Sequence, residues 1–228
     1  MVMREQDVLD VLAKLTDANL AAWVDGGWGV DALLGVTTRE HDDLDLVVRL
    51  SEIEPVRQVL AQAGFSTVVR DWLPNALALT DETGRSVDLH PVTTSPDGGG
   101  DQQTLDGRQF HYPPPVPGVI AGRPVRCVDA VTQLVCHSGY EPRDKDRRDV
   151  AHLRRRFAWT DHSDRYGKPP DQLRRATHDL AEGSASRRRW IRRWTRRIHN
   201  RATNSSMAMV ARRRISAEFT GSSSVSIP

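Results

Sequence analysis

Several things are scarce in this chain, and each scarcity excludes a class. It has two cysteines in 228 residues, Cys127 and Cys136. Two are too few for a disulfide framework, and their spacing fits no zinc motif, so they read as reduced core thiols. No apolar run approaches the length of a membrane-spanning helix. The first residues, MVMREQDVLDVLAKL, hold acids where a signal peptide holds bases, and no long apolar stretch follows. The expectation is a cytoplasmic protein without a membrane partner. No internal repeat is visible, which excludes solenoids and propellers.

Excess positive charge is also missing from most of the chain. The net charge is +2, but eleven arginines and one acid, Glu218, follow residue 184, leaving residues 1–184 at −8. An acidic body has no sequence-independent pull on nucleic acid, so none is expected as its partner. Residues 161–228 lose the core pattern. Trp190, Ile191, Trp194 and Ile198 could line a short basic helix, for a membrane surface or RNA. The simpler readings are a disordered tail or out-of-frame sequence.

What is present is a regular succession of elements. Val8, Leu9, Val11, Leu12 and Leu15 recur at helical spacing over 5–18. Leu20–Val24 reads as a strand, and WGVDALLG as a helix stopped by Gly35. Asp43–Arg49 reads as a buried strand, residues 52–63 as a helix, and Phe65–Arg70, Ala76–Thr80 and Ser86–Val92 as strands. Thr93–Gly118, rich in glycine and proline, reads as a long loop or irregular hairpin shaping a binding site. A strand at 122–127 and helices near 128–138 and 142–158 complete the pattern. Strands followed by helices imply an α+β class. The expected division is a head at 1–127, a helical part at 128–160 and the tail at 161–228.

The chemistry concentrates in Gly26-Gly27, Asp43-x-Asp45 and Asp88. Two glycines let backbone approach a phosphate closely, and the helix after them offers free N–H groups and a positive dipole end. Asp43 and Asp45, two apart on a strand, share a face, while Leu44 and Leu46 point into the core. Asp88, in SVDLHPV, could join them from a neighbouring strand. Three carboxylates in one patch repel one another unless a cation neutralises them, and Mg²⁺ takes carboxylate and phosphate oxygens together. Such ions activate a hydroxyl and stabilise departing pyrophosphate. Arg39 is a candidate for a triphosphate oxygen, and His41 for the same task or for ordering its loop. Trp28 reads equally as core or as nucleotide contact. His90 shares the face of Asp88. Asp25 and Asp31 read as helix-terminal charges. Taken singly, glycine pairs and Asp-x-Asp turns are common; an Asp-x-Asp inside an apolar strand is not, because unpaired buried carboxylates are costly.

The segment WVDGGWGVDALLGVTTREHDDLDLVV resembles the signature of antibiotic nucleotidyltransferases with the polymerase-beta-like fold, both lincosamide nucleotidyltransferases and aminoglycoside 2''-adenylyltransferases. GVIAGRPVRC (118–127), the helix Val128–His137 and SGYEPRDKDRRDVAHLRRRF (138–157) resemble them too, so the likeness covers roughly 5–158. It implies a mixed sheet flanked by helices, a small helical C-terminal part, Mg²⁺, and a nucleoside triphosphate, ATP by default, as donor. By motif match Asp43 and Asp45 become metal ligands. Asp88 becomes a third ligand or the general base. Gly26, Gly27, Trp28, Arg39 and His41 frame the nucleotide. The implied reaction moves a nucleoside monophosphate onto a hydroxyl of a small molecule, a lincosamide or aminoglycoside. VDLHPV and the DGG before Trp28 favour the lincosamide branch. Two rivals remain: transfer to a protein or tRNA, and a non-catalytic binding module on the same fold.

Overall fold

The computed structural model describes residues 2–138 and 141–157. The tail, with the basic helix expected near Trp190 and Ile198, lies outside the described residues. In chain order the elements are α1 (Glu5–Asp17), β1 (Ala22–Asp25), α2 (Gly26–Leu34), β2 (Asp43–Arg49), a 3-10 turn (Leu50–Glu52) and α3 (Ile53–Gln62). There follow β3 (Thr67–Trp72), β4 (Ala76–Thr80), β5 (Ser86–Thr94), β6 (Gly100–Gln103), β7 (Gln109–Tyr112), β8 (Val116–Ile120), β9 (Arg123–Cys127), α4 (Ala130–Ser138) and α5 (Asp144–Arg156).

The strands form one mixed sheet in the order β3-β4-β5-β2-β1-β9-β8, with β6 pairing β5 and β7 pairing β6. β2 runs parallel to β5 and β1 parallel to β9, and the other pairings are antiparallel. Parallel neighbours need a crossover, and α3 with the β3–β4 hairpin supplies the one between β2 and β5. This is the α+β mixed sheet with flanking helices expected above.

Alternation along the strands decides which face carries the core. Leu44 and Leu46 of β2, Leu77 and Leu79 of β4, and Val87 and Leu89 of β5 are buried together with Val8, Val11 and Leu15 of α1 and Val56 and Leu60 of α3. Each such leucine contributes about 1.5–3 kcal/mol by leaving water, which fixes the register: a slip of one residue would turn this whole set outward. The intervening residues of β2 and β5, Asp43, Asp45, Asp88 and His90, are thereby committed to the opposite face.

Two smaller apolar clusters border that opposite face. Val30 of α2 packs with Ala130 and Leu134 of α4 and Leu153 of α5. Val47, Val92, Tyr112 and Val128 form the other, with Phe110 beside them. The β6–β7 hairpin is therefore seated next to the carboxylates, and Thr93–Gly118 takes the irregular-hairpin form of the two expected, with β8 following. No helix among the described residues is long and apolar enough to cross a membrane.

Candidate nucleotide and acceptor site

The register assembles a row of side chains across the sheet. Asp25 of β1 lies opposite Asp45 of β2, Asp45 opposite Asp88 of β5, Asp88 opposite Ala78 of β4, and Ala78 opposite Arg70 of β3. Asp43 sits one pleat along β2 on the same face, opposite Ser86. The three carboxylates that the sequence singled out thus come from two adjacent parallel strands and share a face.

Each carboxylate has a different environment. Burial, with the charges of Asp45 and Asp88 beside it, pushes Asp43 up to about 6. Burial works the same way on Asp45, but the hydrogen bond and charge of His90 outweigh it and hold Asp45 below the usual carboxylate range. His90 Nε2 stands 3.2 Å from Asp45 Oδ1. Burial opposes the protonated imidazole; Asp45 more than reverses this and raises His90 to about 9. Asp88 accepts from Arg70 Nη2 at 2.9 Å through Oδ2 and from Ser86 Oγ at 2.9 Å through Oδ1. Asp25, a residue read from sequence only as a helix-end charge, is 4 % exposed. It caps α2 by accepting from the Gly26 N–H at 2.8 Å. Burial, with Asp45 next to it, pushes its pKa up.

The start of α2 meets this row edge-on. Gly26 has φ +59°, and a β-carbon there would collide with the Asp45 carboxylate; one on Gly27 would collide with the Arg39 guanidinium and the His41 ring. The two glycines let three functional side chains close on the first turn of a helix, whose free N–H groups and dipole suit an anion. His41 is 1 % exposed, donates or accepts through Nε2 with Asp31 Oδ2 at 2.6 Å and lies 4.5 Å from the Trp28 ring. Its Nδ1 has no hydrogen-bond partner among the described residues. Trp28 is buried in the main core.

Arg39 is the residue whose surroundings differ most from the sequence reading. Its Nε and Nη2 donate to Asp149 of α5 at 3.1 and 2.7 Å, and Nη1 donates to the Glu40 carbonyl at 3.1 Å. Burial works against Asp149, but His137 and Arg39 hold it at about 2; His137 Nε2 is 3.8 Å away. One turn earlier on α5, the Lys145 ammonium acts on both Asp43 and Asp45. Arg70, Lys145 and Asp149 were absent from the sequence-derived site. The only signal for the last two was the KDRRD spacing, which puts Lys145 and Asp149 four apart on one helix face.

Among the described residues no three His, Cys, Asp or Glu side chains are placed to hold a metal ion between them. Mg²⁺ does not ask for three: it binds through one or two carboxylates plus substrate phosphates. Asp43 and Asp45, on one face of β2 and with Asp43 crowded by the charges of Asp45 and Asp88, fit that donor set.

The pattern of the aminoglycoside-2''-adenylyltransferase family matches residues 7–153. A lincosamide resistance protein of Staphylococcus haemolyticus is 29% identical over 152 residues, 66% of this chain and 94% of that protein. A 2''-aminoglycoside nucleotidyltransferase of Klebsiella pneumoniae is 35% identical over 121 residues, 51% of this chain and 63% of that protein. Among solved structures, the lincomycin-bound lincosamide antibiotic adenylyltransferase LnuA superposes with a TM-score of 0.61 at 28% identity, over 68% of this chain and 98% of its own.

Proposed function

This chain belongs to the aminoglycoside-2''-adenylyltransferase family, and from that membership we propose that it transfers AMP from ATP to a hydroxyl of a lincosamide or aminoglycoside antibiotic, giving resistance. The observation that carries the reading is the meeting of the α2 N-terminus with the Asp43, Asp45 and Asp88 face through Gly26 and Gly27.

In this assignment Asp43 and Asp45 hold Mg²⁺, which when bound neutralises charge on the reacting phosphates. Gly26, Gly27 and the N–H groups of the first turn of α2 cradle the triphosphate. Arg39 keeps N–H groups beyond those given to Asp149 and Glu40, and it faces Gly27 together with His41. Lys145 adds a third cation on the donor side. Asp88 receives the acceptor hydroxyl proton as the oxygen bonds to the α-phosphorus and the bond to pyrophosphate breaks. ATP as donor puts the reaction in the cytoplasm. The lincosamide branch is favoured: the matched part of this chain spans 94% of the lincosamide resistance protein but 63% of the aminoglycoside enzyme.

Mass spectrometry of reactions with MgATP and a panel of both antibiotic classes tests the proposal. The expected product is heavier by one AMP, disappears with EDTA, and falls by roughly 10²-fold or more with Asp45→Asn, as when one preorganised charge-stabilising group is lost. Undiminished transfer by Asp45→Asn would remove the assigned chemistry.

A further inference from the structure

We infer that the acceptor end of the carboxylate row is built for a hydroxyl-bearing molecule of low positive charge, not for a polyamine, and that Arg70 is the residue that sets this selectivity. The inference rests on the nucleotidyl-transfer reading above and narrows its acceptor.

The row has two ends. Gly26 and the start of α2 stand against Asp45, so the donor phosphates take the β1–β2 side and the acceptor approaches from Asp88 and beyond. There Arg70 reaches from β3 across Ala78, a buried residue whose methyl leaves the span open, to Asp88 Oδ2 at 2.9 Å. Its guanidinium lies 5.4 Å from the Trp72 ring.

This placement depends on an irregularity in β3. Val68 pairs with Leu79, but the next pairing is Arg70 with Ala78, so one residue is inserted between them. In a regular ladder Val69 would oppose Ala78, and Arg70 would turn to the apolar face that carries Leu77. The bulge leaves Val69 57 % exposed and re-aims Arg70 at the carboxylates. It carries Trp72, paired with Ala76, to the same side.

The electrostatic result is a compensated acceptor end. Asp88, the carboxylate at that end, is paired with the Arg70 guanidinium at 2.9 Å. An ammonium is strongly hydrated and needs an uncompensated carboxylate to replace its water; here it meets a guanidinium, and like charges at close range cost binding. A sugar-like acceptor bearing hydroxyls and one amine meets a carboxylate for the reacting hydroxyl and an aromatic face for its apolar side.

Calorimetric titration of the full chain with lincomycin and with the polyamine tobramycin tests this, using wild type, Arg70→Gln and Arg70→Lys, each checked by thermal melting. Wild type is expected to bind lincomycin at least about tenfold more tightly than tobramycin; Arg70→Gln should narrow that ratio by about tenfold through tighter tobramycin binding, while Arg70→Lys keeps it. A wild type that prefers tobramycin or neither ligand overturns the inference, and so does a folded Arg70→Gln with the wild-type ratio. If the variant fails to fold, the wild-type comparison still decides. Mass spectrometry separates the two readings: AMP transfer to tobramycin in preference to lincomycin sinks this inference alone. Lincomycin binding with the stated preference but no transfer sustains it and sinks the transfer reading.

Discussion

Gly26 combines a φ of +59° with an α-carbon packed against Asp45, so two independent costs fall on any side chain placed there. The conformational cost of a non-glycine residue in the left-handed region is about 1 kcal/mol, a tolerable loss for a folded domain. The steric conflict is more serious because it can be relieved only by moving the Asp45 carboxylate. Gly26→Ala is therefore expected to melt only a few degrees below wild type while losing roughly 10²-fold in kcat/KM, the scale of a one-ångström misplacement at a reacting centre. Melting and turnover measured side by side check the split; a variant that retains full turnover would break the link between Gly26 and Asp45. Asp43 makes a prediction of opposite character. Its pKa is raised from 3.8 to about 6 by burial and then by Asp45 and Asp88. Stability from its protonated form is present below 3.8 and is lost as pH rises through about 6 in the metal-free protein. On the proposed assignment Mg²⁺ takes the ionised form, so the rise in Tm on adding Mg²⁺ should be small at pH 5 and larger at pH 7.5, and Asp43→Asn should flatten the difference. The glycines and the three aspartates were legible because glycine pairs and carboxylates stand out in an apolar setting. Arg70 was not, since nothing local announces a bulge in β3 or the alanine across which the side chain reaches.

At the scale of elements, α5 is tied to the loop before β2 by one ion pair spanning 110 positions, Arg39 with Asp149. The side chains are 16% and 2% exposed, so removing the carboxylate strands a largely desolvated guanidinium. Asp149→Ala should cost about 3 kcal/mol, the low end for breaking such a pair, read as a lower urea midpoint. Asp149 is held at about 2 against an ordinary 3.8. Its contribution is therefore present above 3.8 and lost as pH falls toward 2, and acid unfolding of Asp149→Asn should be shallower across that window. If the Asp149→Ala protein is as stable as wild type, α5 is held by Val30, Leu134 and Leu153 alone. The helices were readable from their periodicity and β2, β4 and β5 from short runs of strand-favouring residues bounded by turn residues. β8 was hidden by Pro117 and Gly118. Proline is tolerated because β8 is an edge strand, and Gly118 is needed because a β-carbon there would stand 2.8 Å from Cys127 Sγ and 2.9 Å from the Ala32 carbonyl. β6, with the sequence GDQQ, has no strand propensity of its own and forms because its partners hold it.

Across the whole chain the charge is divided sharply, −8 over residues 1–184 against +10 beyond them, while the family pattern ends at residue 153 and every residue assigned to chemistry precedes 150. The acidic part produces a field that draws cations toward it. The arginines oppose that field, and screening confines their effect to about 10 Å at 0.1 M salt. A chain ending at residue 160 should therefore keep the kcat/KM of the full chain at physiological salt, and gain on it only when salt is lowered. It should also lose whatever salt-sensitive affinity for RNA or anionic vesicles the full chain displays, since that affinity has no source in an acidic body. Steady-state kinetics of both chains at two salt concentrations, with RNA binding measured alongside, distinguishes the cases. Equal kcat/KM assigns catalysis to residues 1–160. A truncated chain that melts like the full one yet turns over more slowly would instead make the arginine-rich segment part of the working enzyme.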